Sequence, residues 1–390
     1  MSQPAGGPTG RDYDVVIVGA GPAGSITALE LSRRGAEVLL VDRSTFPRTK
    51  VCGCCVNPRA LDALERAGEG DLTRRLGAIP LTSLALGCGG CRATVRQPLG
   101  VALSREALDH ALIEAARARG VTFVPETSAA LLPAGPAPYR EVRLRRQGGA
   151  WDVCGRFVVA ATGLTDTLRD RSPTGLSPGS KIGAGAMAPS APEGYEPGRV
   201  HMACATEGYV GLVIVEDGRL DVAAALRPEA VRRAGGIGPL VARIVRRAGF
   251  PEVPGLVDLP WKGTPGLTRA APKLASERVF RVGDAAGYVE PFTGEGIAWA
   301  LSGGRRLAEL LAEASGEAIG SLQRAWADVY RREVTRTQVV CRAARLTLRV
   351  PWLTATMVRV LDRAPGLARP VVRSLHQPRS APMGTIAGRT

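Results

Sequence analysis

The chain has 390 residues, 45% of them apolar, enough to close two or three layers of secondary structure over a large core. Its 51 Lys and Arg stand against 36 Asp and Glu, for a net charge of +15. Aromatic residues make up only 4% and no nucleic-acid motif accompanies the charge, which argues against base stacking and nucleic-acid partners. A solvated basic surface or contact with acidic lipid headgroups is left. No apolar run reaches the roughly 18 residues of a membrane span. Residues 1–11 read as a flexible polar leader without the apolar stretch of a signal peptide, so a cytoplasmic location is expected.

The first element is the β-branched run Tyr13–Val18, which reads as a buried parallel strand. It leads into G-x-G-x-x-G at Gly19, Gly21 and Gly24, with Pro22 and Ala23 opening a helix to Arg34. A second strand, Glu37–Val41, ends at Asp42 and Arg43. Strand, glycine turn, helix and carboxylate in this order are what a dinucleotide site needs. Gly19 makes the turn, Gly21 lets backbone approach the pyrophosphate, and Gly24 permits close helix–strand packing. The phosphates meet the helix N-terminus, and Asp42 is spaced for the adenosine ribose.

Asn57 and Pro58 read as N-cap and first turn of a helix stopped by Gly68. Residues 79–103 are short strands broken by glycine, and Ser104 caps a helix from Arg105 to Arg119. Segments 138–146 and 151–161 form a hairpin feeding a strand. Between 170 and 270 glycine and proline are frequent. Val200–Thr206, Tyr209–Val215 and Leu220–Leu226 read there as a β-meander with one wet face. Residues 321–377 are helical and basic, divided by Pro351, Pro365 and Pro370. The eight cysteines include Cys52/Cys55 and Cys88/Cys91, whose spacing would suit a zinc site. Packing is the preferred reading and no metal is expected. Stable disulfides do not suit a cytosolic chain.

A second glycine-rich segment, Gly283-Asp284 followed by Pro291, Gly294, Glu295 and Gly296, completes a pattern. With Gly19–Gly24 it resembles the FAD-dependent hydroxylase superfamily, which has the para-hydroxybenzoate hydroxylase fold. GDAAGYVEPFTGEGIAWAL is especially similar to the geranylgeranyl reductase-like branch. The resemblance covers about residues 12–310. It implies an α/β fold: a discontinuous Rossmann-like FAD-binding domain (12–78, 104–168 and 271–312), an antiparallel β-sheet substrate domain (79–103 and 169–270), and a helical C-terminal segment (313–390). It also implies FAD as cofactor. Asp284 would bond ribityl or ribose hydroxyls, and the helix from Gly294 would point its positive end at the flavin ring. Arg105 would lie by the FAD. Thr49-Lys50-Val51-Cys52-Gly53 resembles the family's K-x-C-G-G loop over the cofactor, with Cys54 in place of the next glycine.

Two departures matter. Thr162 stands where hydroxylases carry an acid tied to NAD(P)H handling, and the meander lacks the aromatic segment of geranylgeranyl reductases. The favoured expectation is a monooxygenase that uses O2, through a C4a-hydroperoxyflavin, to hydroxylate or epoxidise an aromatic or unsaturated apolar metabolite of secondary metabolism. The alternative is a flavoenzyme that reduces C=C bonds of an isoprenoid or lipid. NAD(P)H is the expected electron donor, with an external reductase as the other possibility, and peripheral membrane contact is compatible with the basic C-terminus. No catalytic residue is assigned. His201, Cys204 and Tyr209, on the meander, are the candidates for the substrate pocket.

Overall fold

The computed structural model describes residues 12–134, 138–165, 168, 175–270, 273–290, 292, 294–314, 318–335, 338, 341 and 351–368. The leader 1–11 and Pro291 lie outside them, as does much of the C-terminal segment. In chain order the elements that position the site begin with β1 (Asp12–Val18), α1 (Pro22–Ser32), β2 (Val38–Val41), β3 (Cys55–Val56) and α2 (Pro58–Arg66). There follow β4 (Ile79–Cys88), β5 (Cys91–Ala102), α3 (Arg105–Arg117), β6 (Thr122–Val124), β7 (Ser128–Leu131), β8 (Arg140–Arg146) and β9 (Gly149–Ala160). The meander is β10 (Ile182–Ala188), β11 (Arg199–Ala205), β12 (Gly208–Ile214) and β13 (Leu220–Leu226). Last come α4 (Ile237–Arg247), β14 (Lys262–Gly266), β15 (Val279–Arg281), α5 (Gly296–Ala312), α6 (Ile319–Tyr330) and α7 (Pro351–Arg363).

The first sheet is parallel at its centre. β1 pairs with β2 on one side and β9 on the other, β6 extends it past β2, and β15 lies beside β9. β1 and β2 end in continuous runs of Val, Ile and Leu because the sheet is covered on both faces, by helices on one and by Val142, Leu144 and Val153 of the β8–β9 hairpin on the other. α1 is buried from Pro22 to Leu31, since it lies under the sheet and against α3 and α5; Ser25 and Thr27 donate to the Ala20 and Ala23 carbonyl oxygens and Glu30 pairs with Arg34. The hairpin β8–β9 hangs its outer strands off the same sheet.

The second sheet runs in the order β14–β10–β13–β12–β11–β4–β5–β3. Its pairs are antiparallel except β4 with β11, which is parallel because both strands enter from the same edge. Side chains alternate across it. One face packs on α4 through Ala203, Val210, Leu212 and Val222. The other carries Met202, Tyr209, Gly211 and Ala223 and looks onto a cavity shared with the first sheet. α7 packs against β4 and β5 and closes one side of that cavity.

Candidate cofactor and substrate cavity

At the end of β1 the chain turns so tightly that a side chain has no room. Gly19 has φ +107, and a Cβ there would stand 2.3 Å from the Ala161 carbonyl oxygen. At Gly24 a Cβ would lie 1.8 Å from the Gly19 carbonyl oxygen. The loop is thus pressed against the end of β9. No side chain caps α1, and Pro22 occupies its first turn. Gly21, Pro22 and Ala23 border a cavity of about 850 Å3, and of these Gly21 and Ala23 carry an N–H. Two guanidinium groups stand over this turn: Nη2 of Arg48 and Nη2 of Arg105 are each 3.8 Å from the Cβ position of Gly21. Arg105 grips Asp109 through two bonds of 2.7 Å, and Arg48 reaches the same carboxylate at 3.5 Å. Two cations sharing one fully buried carboxylate leave a net positive charge at a helix N-terminus, which suits a pyrophosphate. Ser104 caps α3 by accepting the Ala107 N–H at 3.1 Å, which fixes where Arg105 starts.

Asp42 sits below this seat, buried. Its Oδ2 accepts the Ala20 N–H at 2.7 Å and its Oδ1 accepts the Ser44 N–H at 2.9 Å. It therefore ties β2 to the glycine turn with oxygens already engaged. Arg43 is exposed and approaches Thr165 Oγ1 at 3.4 Å, away from the cavity wall.

The middle of the cavity is walled by Lys50, Gly163, Gly283, Asp284, Gly294 and Gly296. Burial, with Arg105 and Arg48 close by, lowers the proton affinity of Lys50, against the pull of Asp284. Asp284 and Gly296 border the space, and α5 directs its N-terminus at it. Glu295 turns away. Its carboxylate accepts from Asn57 at 2.9 Å and from Arg59 at 3.2 Å, clipping the start of α5 to the start of α2. Burial raises its pKa to about 7, with Arg59 opposing. Asn57 also caps α2 through the Ala60 N–H.

The loop after Lys50 brings Cys52, Gly53 and Cys55 to the cavity wall. β3 pairs with the end of β5, so this loop is tethered to the second sheet. The Cys88/Cys91 pair closes the β4–β5 turn in a different cluster, so the two C-x-x-C pairs do not converge.

The three pocket candidates separate by strand parity. Tyr209 lines the cavity, its ring edge-on to Phe292. Beneath it Lys181 bonds Glu290 at 2.6 Å, with Nζ 5.1 Å from the Tyr209 ring centre. Cys204 lies opposite Tyr209 in the ladder and shares its face, but is packed among Leu86, Cys88 and Leu267 behind the cavity lining. His201 is on the other face, between the rings of Tyr195 and Phe250, and burial lowers its pKa to about 4. It is a core residue. Four further features lay outside the residues singled out from the sequence. Arg48 stands over the Gly21 turn, Tyr288 reaches the cavity, Lys181 pairs beneath its wall, and Met357, Val360, Leu361 and Leu367 close one side. Only the proximity of Arg48 to Lys50 could have suggested the first.

A parallel sheet with a side-chain-free phosphate turn, facing an antiparallel sheet across one large cavity, defines a flavin-dependent oxidoreductase. Residues 12–203 match the FAD binding domain family. It is 28% identical to a menaquinone reductase of Mycobacterium tuberculosis (strain CDC 1551 / Oshkosh), covering 92% of this chain and 90% of that one. It is 27% identical to digeranylgeranylglycerophospholipid reductase 2 of Methanothermobacter thermautotrophicus over 77% of this chain and 78% of that protein. The p-nitrophenol 4-monooxygenase of Pseudomonas putida DLL-E4 superposes with a TM-score of 0.72 at 19% identity, covering 95% of this chain and 100% of that one, and so shares the fold.

Proposed function

We propose that this flavoenzyme saturates carbon–carbon double bonds in a long apolar substrate of the prenyl-lipid kind. The observation that carries the reading is the cavity. Its far walls are almost entirely aliphatic, from Leu84, Leu99 and Val200 on the sheet to Met357 and Leu361 on α7. The two relatives with lipid substrates in their names, matched over most of their length, support the same class. In this reading Gly21, Pro22, Ala23, Arg48 and Arg105 hold the pyrophosphate of FAD. Gly19 and Gly24 shape the turn, and Asp42 braces it. Lys50, Cys52, Gly53, Gly283, Asp284, Gly294 and Gly296 surround the remainder of the cofactor. When bound, FAD supplies hydride transfer; the protein supplies position, a dry cavity and protons. Burial raises the phenols of Tyr209 and Tyr288 well above their usual range. Both stay protonated on the cavity wall, able to donate to a bound substrate. The electron donor in this reading is NAD(P)H or an external reductase.

The second reading is a monooxygenase on an unsaturated or aromatic small molecule with O2. It is favoured by the shared fold of the nitrophenol monooxygenase.

No helix among the described residues is long and apolar enough to cross a membrane. We place the chain in the cytoplasm, with peripheral contact at a lipid surface. Val360 and Leu367 line the cavity while remaining 44% and 61% exposed, and Leu353, seven residues before Val360, is 38% exposed. Residues 331–390 hold twelve arginines against Glu333 and Asp362, so ten of the fifteen excess positive charges lie there. An apolar lip in an arginine-rich region suits anionic lipid.

The test is anaerobic mixing of the purified yellow protein with NADH, NADPH and dithionite, followed by flavin absorbance. Bleaching supports the flavoenzyme reading and identifies the donor. A protein that neither carries nor takes up FAD overturns it.

A further inference from the structure

Four strands of the second sheet bring Met202, Gly211, Ala223 and Gly185 side by side. Met202 pairs with Gly211, Gly211 with Ala223, and Ala223 with Gly185. Lateral neighbours in a ladder share a face, so this row crosses the cavity roof from β11 to β10. Neighbouring strands stand about 4.8 Å apart, which makes the path from Gly211 to Gly185 about 10 Å long. Gly211, Ala223 and Gly185 carry at most a methyl group, so this part of the row is a trough. Val213 stands on one side of it and Tyr209 on the other, two residues either way from Gly211, and both line the cavity. Val51 closes the far end. Its Cγ1 is 3.2 Å from the Cβ position of Gly185, and it belongs to the loop that carries Lys50 and Cys52.

Met202 closes the near end. On its other side it pairs with Leu86 of β4, and both pack in the cluster that holds Val358 and Leu361 of α7. Met202 is half-buried and lines the cavity. Its Cε lies 3.6 Å and its Sδ 3.9 Å from the Cβ position of Gly211, so the thioether covers the start of the trough. The backbone at Gly211 is outside the left-handed region, and a Cβ there would make only ordinary contacts. Folding alone therefore does not demand glycine at this place; what glycine leaves is room. A methionine beside that room is unbranched and turns readily about its side-chain bonds.

We propose that Met202 is a specificity-determining residue of the cavity, a movable stop that a long apolar chain turns aside to run along Gly211 and Ala223 toward Val51. The inference rests on the reading of this cavity as the site of a prenyl chain. A short chain that enters past α7 lies against Leu84, Leu86 and Leu361 and leaves the stop in place. A longer chain has further isoprene units to bury. It exchanges the contacts of the thioether over Gly211 for its own, and it gains the walls offered by Val213 and Tyr209. Each methylene taken out of water adds to that gain, so the stop discriminates against short chains. A chain that passes it reaches the Lys50–Gly53 loop, which in the same reading surrounds the cofactor.

The experiment takes the full-length, FAD-loaded protein with cis-parinaric acid, whose fluorescence reports an apolar cavity, and displaces it with geraniol, farnesol and geranylgeraniol. The native protein is expected to prefer geranylgeraniol to geraniol. Met202→Ala raises that preference by about tenfold, the worth of roughly two further buried methylene groups. Gly211→Leu fills the start of the trough and removes the preference while the affinity for geraniol stays as it was. If Gly211→Leu does not fold, the native protein with isotope-labelled methionine methyl groups decides by nuclear magnetic resonance. The Met202 signal, assigned with Met202→Leu, moves with geranylgeraniol and not with geraniol, whereas the Met357 signal from α7 moves with both. Failure of all three alcohols to displace the probe would sink the prenyl-lipid reading and this inference together. Displacement with one and the same preference in the native protein and the variants, or a Met202 signal that responds equally to geraniol, would overturn the inference and leave that reading standing.

Discussion

The two walls of the cavity are made by different means. The phosphate end is backbone and charge: a turn that excludes side chains, open N–H groups of α1, and Arg48 and Arg105 sharing Asp109. The roof is made of small and aliphatic side chains, with Gly211, Ala223 and Ala225 leaving the space that Leu84 and Val200 border. The first wall has fixed dimensions because its ligand, a pyrophosphate, has a fixed shape and charge. The second only needs volume and dryness, so many residue choices would serve. The contrast teaches that cofactor identity is written in spacing, whereas substrate identity is written in what is left empty.

Changes at the first wall should therefore be severe, and the largest is Gly24→Val. A Cβ there meets the Gly19 carbonyl oxygen at 1.8 Å, so we expect a loss of about 5 kcal/mol and no retained flavin. Thermal unfolding and flavin absorbance per protein check it. Next, Arg105→Met leaves Asp109, which is fully buried, with only Arg48 at 3.5 Å. A cost of about 3–4 kcal/mol is expected, with weaker FAD uptake by titration of the apoprotein.

The clip at Glu295 gives a pH signature. Its folded-state pKa, about 7, lies above the ordinary 4.5, so the folded protein holds this proton to higher pH than the unfolded chain. The stabilising contribution is full below 4.5 and lost as pH rises through 7. Glu295→Gln should flatten that part of the stability profile, by about 3 kcal/mol at the upper bound. Denaturant melts at several pH values, comparing slopes between the two proteins, read this directly.

Changes at the roof should spare flavin and alter turnover. Ala223→Leu intrudes into the cavity, and kcat/KM for a long substrate should fall about tenfold, or 1.4 kcal/mol, at unchanged flavin content. Equal loss of flavin would show that the two walls are not separable. The smallest effect is expected at the rim. Val360→Ser with Leu367→Ser should weaken sedimentation with anionic vesicles by about 1 kcal/mol per side chain, leaving folding intact.

This contrast also explains what could be read from the sequence. Gly19–Gly24, Asn57, Ser104 and the Gly283–Gly296 segment were legible because turns, caps and phosphate seats need particular residues at particular offsets. The strand Leu220–Leu226 was legible to the residue because Asp217 and Gly218 mark the turn before it. Facing was not legible. His201 and Tyr209 read alike on neighbouring strands, and only the ladder, with His201 opposite Leu212 and Cys204 opposite Tyr209, sorts core from cavity. The role of α7 was hidden for a related reason: a basic helix can be foreseen, but not the sheet edge it covers.

The most direct test of the central claim is strictly anaerobic turnover. The FAD-loaded protein, reduced with dithionite, is incubated with menaquinone or a geranylgeranyl lipid, and the recovered lipid is analysed by mass spectrometry. The expected product has gained two hydrogens at one double bond in the absence of oxygen. An unchanged lipid under these conditions, with an oxygen atom incorporated once isotopically labelled O2 is admitted, would contradict it and establish the monooxygenase instead.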